Sequence, residues 1–197
     1  MTNRFARVAS VFLFTAALAV ISSGSVAAQQ PAPAQPAPVA KVALKSPAPA
    51  SDVLAEALKT AAAEKKGVFV HFGASWCAWC HKLEAFLASP EGKLFAESLV
   101  VRELIVLENG EKVALENAGG RAMMTKWGGT GGIPFFVFLD AQGTVLSDAN
   151  GMPNGGNIGY PANPAEVKAF ETAMLKGAPN MPADVRTKIL EYIAKHP

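Results

Sequence analysis

The chain has 197 residues, of which 50% are hydrophobic and 17% are charged, and its formal net charge at pH 7 is +2. This composition is typical of one globular domain with tails. Arg4 and Arg7 carry the only charges within residues 1–28, so the rest of the chain has no net charge. Without a basic surplus or a Lys/Arg cluster, binding to nucleic acid is not expected.

The pattern of residues 1–28 predicts a secretory signal peptide. Arg4 and Arg7 precede an apolar run over residues 8–21, and small residues follow up to an expected cleavage site near Ala28. An uncleaved membrane anchor is the alternative, although the run is shorter than the ~20 residues of a spanning helix. We therefore expect a periplasmic or secreted protein, in an oxidising compartment where a cysteine pair can cycle or be locked.

Residues 29–50 are rich in Pro and Ala and favour extended polyproline geometry, which predicts a linker. The globular domain is predicted over residues 51–197. Ser51 can cap a first amphipathic helix, and Gly67 is a plausible stop for it. The apolar run 68–72 then predicts a buried strand.

Alternating helices and strands are predicted further along. A helix from near Cys77 is expected to end at Ser89, before a proline, and residues 91–97 form another helical turn or two. Residues 99–107 predict a second central strand, whose charges are confined to Arg102 and Glu103. Residues 112–127 are weakly helical. Residues 135–139 predict a third strand, and residues 144–146 predict a return strand.

The C-terminal part begins with a polar, glycine-rich surface loop over residues 148–161. Asn163 and Glu166 form the cap and capping box of a helix that Gly177 is predicted to stop. One more helix follows. Alternation first and a hairpin last predict an α/β fold with a central mixed sheet flanked by helices, and with an extra C-terminal helix.

The two cysteines of the chain, Cys77 and Cys80, form a Cys-x-x-Cys motif where the predicted strand turns into a helix. The positive end of the helix dipole favours a thiolate at Cys77. Cys80 lies one turn further on, within reach of a mixed disulfide at Cys77. We predict that Cys77 is the nucleophile and Cys80 the resolving thiol. Trp76 can shield the pair and offer apolar surface to a partner.

Other uses of the pair stay open. Structural zinc needs about four ligands, and only His71, His81 and His196 could join the cysteines. A static disulfide would close a very small loop and stabilise little. His81 completes the haem c attachment motif Cys-x-x-Cys-His, and several methionines could be axial ligands. The predicted sheet argues against haem, since small c-type cytochromes are mostly helical. We predict neither a metal nor a cofactor.

Residues 72–80, Phe-Gly-Ala-Ser-Trp-Cys-Ala-Trp-Cys, resemble the active-site segment of the thioredoxin superfamily. Ile133 and Pro134 resemble its cis-proline segment, which faces the dithiol. The resemblance covers about residues 51–176 and implies a thioredoxin-like fold. A cis bond at Pro134 would leave the Ile133 backbone free to pair with a substrate strand. Alternatively, Pro134 begins an edge strand.

The segment also departs from the family pattern. Ala78 and Trp79 stand between the cysteines in place of the Gly-Pro of cytosolic thioredoxins, and Phe135 stands where threonine is usual. Trp79 is interpreted either as a docking surface or as a lid over Cys80. The predicted substrate-binding residues are Trp76, Trp79, Ile133 and Pro134.

His71 occupies the position of the family's buried acid, which assists proton transfer at the second cysteine. A histidine could do similar work near neutral pH, or it could be a core histidine bonded to backbone. The supporting residues predicted for the dithiol are His71, Trp76 and Pro134. His81 is expected on the surface or at the rim.

The resemblance implies an exported thiol–disulfide oxidoreductase that exchanges disulfides with protein substrates, in reduction or interchange rather than in oxidation. Its expected partners are protein thiols and disulfides, together with a redox-recycling protein. A reductant role requires a partner that delivers electrons across the membrane. The alternative is a binding module with a static disulfide, which presents Trp76, Ile133 and the loop 148–161 to a partner.

Overall fold

The computed structural model describes residues 46–197. The predicted signal peptide, residues 1–28, and residues 29–45 of the predicted linker lie outside this part. Within it, a mixed four-stranded sheet is flanked by helices. The strands are β1 (Gly67–Gly73), β2 (Leu99–Ile105), β3 (Phe135–Leu139) and β4 (Val145–Asp148).

The strand order across the sheet is β2-β1-β3-β4. β1 and β2 are parallel, whereas β3 is antiparallel to both β1 and β4. The helices are α1 (Ala50–Glu64), α2 (Ala78–Ala88), α3 (Pro90–Ser98), α4 (Gly120–Lys126), α5 (Pro164–Gly177) and α6 (Ala183–Lys195), with a 3₁₀ helix over Gly110–Leu115. The structure confirms the predicted mixed α/β sheet and the extra C-terminal helix. Within residues 46–197, no helix combines the length and apolarity that a membrane span requires.

Helices cover both faces of the sheet. Successive side chains of β1 point to opposite faces, and the strand is buried, so both faces must be packed against helices. On one face, the Phe69 ring meets Phe95 of α3 edge-on at 5.0 Å between centroids. On the other face, Phe72 contacts Trp127, the residue after α4, at 6.0 Å. α2 lies on the Phe69 side, since the space at Gly73 borders Cys80. The dithiol therefore sits above the carboxyl end of a central strand.

Phenylalanine dominates the core. All eight phenylalanines of the described chain are fully buried, and their rings meet one another at centroid distances between 4.9 and 6.1 Å. Six of them pack on the α2 side of the sheet: Phe69, Phe86, Phe95, Phe136, Phe138 and Phe170. Interlocked aromatic rings contribute beyond their buried area, so this layer fixes β1 and β3 against the helices.

Two predictions about α1 were wrong: Ser51 as its cap and Gly67 as its stop. The helix begins at Ala50 with Pro49 as its cap, and the Ser51 hydroxyl bonds to Asp52 instead of capping the helix. Its end is closed by Lys65, whose N–H bonds back to Ala61 in a left-handed conformation. Gly67 is therefore not the stop. It begins β1, where a Cβ would lie 3.0 Å from the Leu139 carbonyl.

Other boundaries differ by a few residues. β2 ends at Ile105, two residues before Leu107, which adopts a left-handed φ of 58°. The weakly helical segment is a 3₁₀ helix and α4, separated by Gly119 with a φ of 80°. β4 extends to Asp148. The predicted cap at Asn163 is observed on α5, and the helix expected to start near Cys77 begins at Ala78 with Cys77 as its N-cap.

Candidate active site

Cys77 and Cys80 form a disulfide at the start of α2, with 5.2 Å between their Cα atoms. Cys77 is the N-cap of the helix, and its sulfur accepts a hydrogen bond of 3.1 Å from the Cys80 N–H. Both residues are buried, at 4% exposed for Cys77 and 1% for Cys80. Cys77 is thus the more accessible of the two, and it lies among backbone donors that can stabilise negative charge on sulfur.

The segment Ile133–Pro134 lies against this disulfide, although it is more than fifty residues away in the chain. The Ile133 carbonyl oxygen is 3.6 Å from the Cys77 sulfur, and the peptide bond to Pro134 is cis. The Asn157 side-chain amide donates to the carbonyls on both sides of the bond, Gly132 at 3.1 Å and Pro134 at 3.0 Å. The long loop after β4 therefore holds the segment that faces the dithiol.

Three of the four predicted substrate-binding residues line one groove. Trp79, Ile133 and Pro134 border it together with Asn157 and Tyr160, and its volume is about 380 Å³. Trp79 is 47% exposed. Trp76, which is 55% exposed, lies outside this groove, and its indole N–H donates to the Leu107 carbonyl at 2.7 Å. The groove, which has both polar and apolar lining residues, and the exposed Trp76 side chain are two separate surfaces near the disulfide.

A buried carboxylate anchors the loop before the cysteines. Glu108 accepts hydrogen bonds from the Ser75 backbone N–H at 2.6 Å and from its hydroxyl at 3.0 Å. Lys112 also donates to the Ser75 hydroxyl, at 2.8 Å. Glu108 lies three residues after the end of β2 and is 6% exposed. Sequence reasoning did not single it out, because only the parallel pairing of β1 and β2 brings it to Ser75.

His71 is buried in β1 on the side of the sheet that carries α2. Burial lowers the pKa of His71 to about 4, so its ring is neutral near pH 7. The ring packs 6.1 Å from Phe69.

A pair of carboxyl groups lies near the dithiol, and the sequence did not identify either as functional. Glu103 of β2 is the register partner of His71. Burial, and then the neighbouring Glu84 of α2, raise the pKa of Glu103 to about 7. His81 bonds to Glu84 at 3.1 Å and to the Ser75 carbonyl at 3.0 Å. The Glu84 hydrogen bond and then the Ser75 bond raise the pKa of His81, which lies on the surface as predicted.

The described part of the chain has no candidate metal site. No group of three or more His, Cys, Asp or Glu side chains within residues 46–197 is arranged to hold a metal ion. The cysteine sulfurs are bonded to each other, and His81 uses both ring nitrogens in hydrogen bonds.

Several solved structures are similar to this chain. A disulphide isomerase from Xylella fastidiosa Temecula1 is 22% identical with a TM-score of 0.45, and the match covers 78% of this chain and 98% of that one. The DsbH oxidoreductase is 24% identical with a TM-score of 0.39, covering 73% and 92%. The oxidised DsbD C-terminal domain of Neisseria meningitidis is 21% identical with a TM-score of 0.37, covering 51% and 83%. Among curated proteins, none matches the chain.

The family is shown by a direct domain match. Residues 54–157 match the thioredoxin-like domain, and this range includes the Cys77–Cys80 disulfide and Pro134. A Cys-x-x-Cys disulfide at the start of a helix on this fold supports thiol–disulfide oxidoreductase activity. The chain belongs to the thioredoxin-like domain family.

Proposed function

We propose that the chain is an exported thiol–disulfide oxidoreductase that exchanges disulfides with protein substrates. The observation that carries the proposal is the position of Cys77, which caps α2, is bonded to Cys80 and lies 3.6 Å from the Ile133 carbonyl. Once the pair is reduced, the N–H groups at the start of α2 favour a thiolate at Cys77. Export rests on the signal-peptide pattern of residues 1–28.

In the reducing direction, the Cys77 thiolate attacks one sulfur of a substrate disulfide, and the other substrate sulfur leaves as a thiolate that takes up a proton. Cys80 then loses its proton and attacks the Cys77 sulfur, which releases the second substrate thiol. Two electrons pass to the substrate, and the Cys77–Cys80 disulfide forms. Recycling requires a dithiol partner; for an exported reductase, this partner would have to deliver electrons across the membrane.

The substrate surface of the proposal is the groove beside the dithiol. Trp79, Ile133 and Pro134 line it, and backbone groups next to Pro134 can pair with an extended substrate chain. Trp76 offers a second apolar contact, for a substrate or for the recycling partner. We place reduction or interchange ahead of oxidation because the insertion at residues 89–91, before β2, resembles that of exported thiol–disulfide interchange proteins.

The decisive experiment traps the mixed disulfide. The full chain with Cys80→Ala is expressed in a bacterium with a periplasm, and proteins bound covalently to Cys77 are isolated under non-reducing conditions. We expect specific partners that a thiol reductant releases, because Cys80 is no longer present to resolve the intermediate. The matched control, Cys77→Ala, should capture none.

A Cys80→Ala protein that is folded and exported but captures no partner would contradict the proposal. It would favour the binding module with a static disulfide. The direction of transfer follows from equilibration of the wild type with glutathione. We expect a potential closer to about −270 mV, as in a reducing dithiol, than to about −120 mV, as in an oxidant.

A further inference from the structure

Gly73, at the end of β1, leaves a small open space between a carboxyl group and the buried sulfur of the dithiol. A Cβ atom at Gly73 would lie 3.1 Å from Oε1 of Glu103 and 3.5 Å from the sulfur of Cys80. Glu103 lies on the neighbouring strand, two residues before the register partner of Gly73. The carboxyl group and the Cys80 sulfur therefore face each other across the volume of a missing side chain.

The Glu103 carboxyl group has a neighbour on α2 that leads toward the surface. Glu84 is close enough for its charge to raise the pKa of Glu103. Oε2 of Glu84 is 3.1 Å from Nδ1 of His81, whose side chain is 54% exposed. Glu103, Glu84 and His81 thus form a series of titratable groups that leads from the space beside Cys80 to a histidine in contact with water.

Glu103 is the member of the carboxyl pair whose pKa is raised. Two adjacent carboxylates repel each other, and burial disfavours the second negative charge. Glu103 is the more buried member, whereas Glu84 is partly exposed and pairs with His81. Burial first, and Glu84 second, raise the pKa of Glu103 to about 7, so this group can both take up and release a proton near neutral pH.

Few other titratable groups face Glu103. Its register partner on β1 is His71, which is neutral because burial lowers its pKa to about 4. α1 packs against β2, and there Arg102 lies 3.8 Å from Glu56. α3 also packs against β2, and no charged side chain of α3 contributes to the pKa of Glu103 in the described part of the chain.

We propose that Glu103 exchanges the proton of Cys80 and that Glu84 and His81 connect Glu103 to solvent. In the reducing direction, the Cys80 proton passes to the Glu103 carboxylate, and the resulting thiolate attacks the Cys77 sulfur. The disulfide forms as the substrate thiolate leaves. In the reverse direction, protonated Glu103 gives its proton to the Cys80 thiolate as the disulfide opens. This inference rests on the proposed function, because it assigns the proton of the resolving step.

The test separates the two chemical steps in stopped flow. The reduced full chain reacts with 5,5′-dithiobis(2-nitrobenzoic acid); attack by Cys77 releases the first thionitrobenzoate, and resolution by Cys80 releases the second. We expect Glu103→Gln to slow the second release about a hundredfold at pH 7, as is typical for loss of a general acid or base. Its pH profile should also lose the inflection near pH 7, while the first release stays close to the wild-type rate.

Three variants make the result specific. Glu103→Asp keeps a carboxyl group and should retain the inflection. Gly73→Ala fills the space between the carboxyl and the sulfur, and it should slow the second release although Glu103 is present. Glu191→Gln removes an exposed carboxylate of α6 and should change neither step. Near-UV circular dichroism establishes whether each variant is folded. If Glu103→Gln does not fold, the rate of the second release in Gly73→Ala tests the role of Glu103.

The outcomes distinguish this inference from the proposed function. A wild type that never releases the second thionitrobenzoate contradicts the proposed function itself. A wild type that releases both, with a second step unaffected by Glu103→Gln and by Gly73→Ala, overturns the role of Glu103 alone. A second step that is slowed by His71→Gln and not by Glu103→Gln would assign the proton to His71.

Discussion

His71 and Glu103 are register partners on adjacent strands, and burial acts on them in opposite ways. Burial disfavours the charged form of each group, which lowers the pKa of His71 to about 4 and raises the pKa of Glu103 to about 7. Near pH 7, His71 is therefore neutral, whereas Glu103 exchanges between its protonated and ionised forms.

The lowered pKa of His71 predicts a loss of stability in mild acid. The unfolded histidine binds a proton near pH 6.5 and the folded one only near pH 4, so the unfolded state holds more protons between these values. The free energy of unfolding should fall by about 3 kcal/mol as the pH drops through this window. Urea unfolding of the oxidised protein from pH 7 to pH 4 measures this effect.

The controls for this pH dependence are His71→Gln and Glu103→Gln. His71→Gln should remove the loss in acid. Glu103 contributes with the opposite sign, because its folded pKa lies above its unfolded value of 4.5, so its stabilisation is lost as pH rises toward 7. Glu103→Gln should therefore steepen the loss in acid. An unchanged pH dependence in His71→Gln would contradict the assignment to His71.

At the scale of elements, the active site is assembled from the start of α2 and two segments without regular structure. The N-terminus of α2 presents Cys77. The turn before β3 supplies Ile133 and Pro134, and the loop after β4 supplies Asn157, which bonds to the turn on both sides of the cis peptide. This loop was predicted as a surface loop, and its hydrogen bonds give it a supporting role at the site.

Asn157→Ala should impair the reaction with protein substrates more than the reaction with small disulfides. The substitution removes two hydrogen bonds that hold the Ile133–Pro134 turn, each worth about 1 kcal/mol, and we expect KM for a trapped protein partner to rise about tenfold. The first release of thionitrobenzoate by Cys77 should stay unchanged. Steady-state kinetics with both kinds of substrate measure the difference.

Asn154→Ala is the matched control, since Asn154 lies in the same loop and bonds only to Gly156 within the described contacts. It should leave KM at the wild-type value. Equal effects of Asn154→Ala and Asn157→Ala would mean that general loosening of the loop, and not the bond to the turn, determines substrate binding.

At the scale of the whole molecule, the aromatic layer sets how closely α5 approaches the sheet. Gly177 was predicted to stop this helix, but it is the last helical residue, and its φ is not positive. A Cβ at Gly177 would lie 2.2 Å from Cγ of Phe138, a ring that is fully buried in β3. Glycine is required here for close packing between helix and strand, and not for a turn.

Gly177→Ala should destabilise the protein by about 1–3 kcal/mol, because the buried ring of Phe138 has little room to move. This loss should exceed the gain of up to about 1 kcal/mol in helix propensity. Denaturant unfolding measures the change, and the exposed neighbour Lys176→Ala should stay within about 0.5 kcal/mol of the wild type. A Gly177→Ala protein as stable as the wild type would show that α5 can move away from β3.

Features that depend on neighbouring residues along the chain were predictable. The start of a helix near Cys77, the cap at Asn163 and the buried strand before the cysteines all follow from local hydrogen bonding and apolar patterning. The resemblance to thioredoxins supplied the fold class and the pairing of the dithiol with Ile133–Pro134. Local patterns gave the wrong reason for Gly67 and Gly177, which were predicted as helix stops. At both positions glycine allows close contact with the distant strand β3.

The sequence by itself determined that the two cysteines can bond to each other, because two cysteines three apart at a helix start are within reach of each other in any fold. Only the tertiary structure decided which carboxyl groups lie near the two cysteines. In the sequence, Glu103 and Glu108 are ordinary charges near the end of a strand. The parallel pairing of β2 with β1 brings Glu103 to the space beside Cys80 and Glu108 to Ser75. Strand pairing depends on the packing of the whole core, and burial in that core is what shifts the pKa of Glu103 toward neutrality.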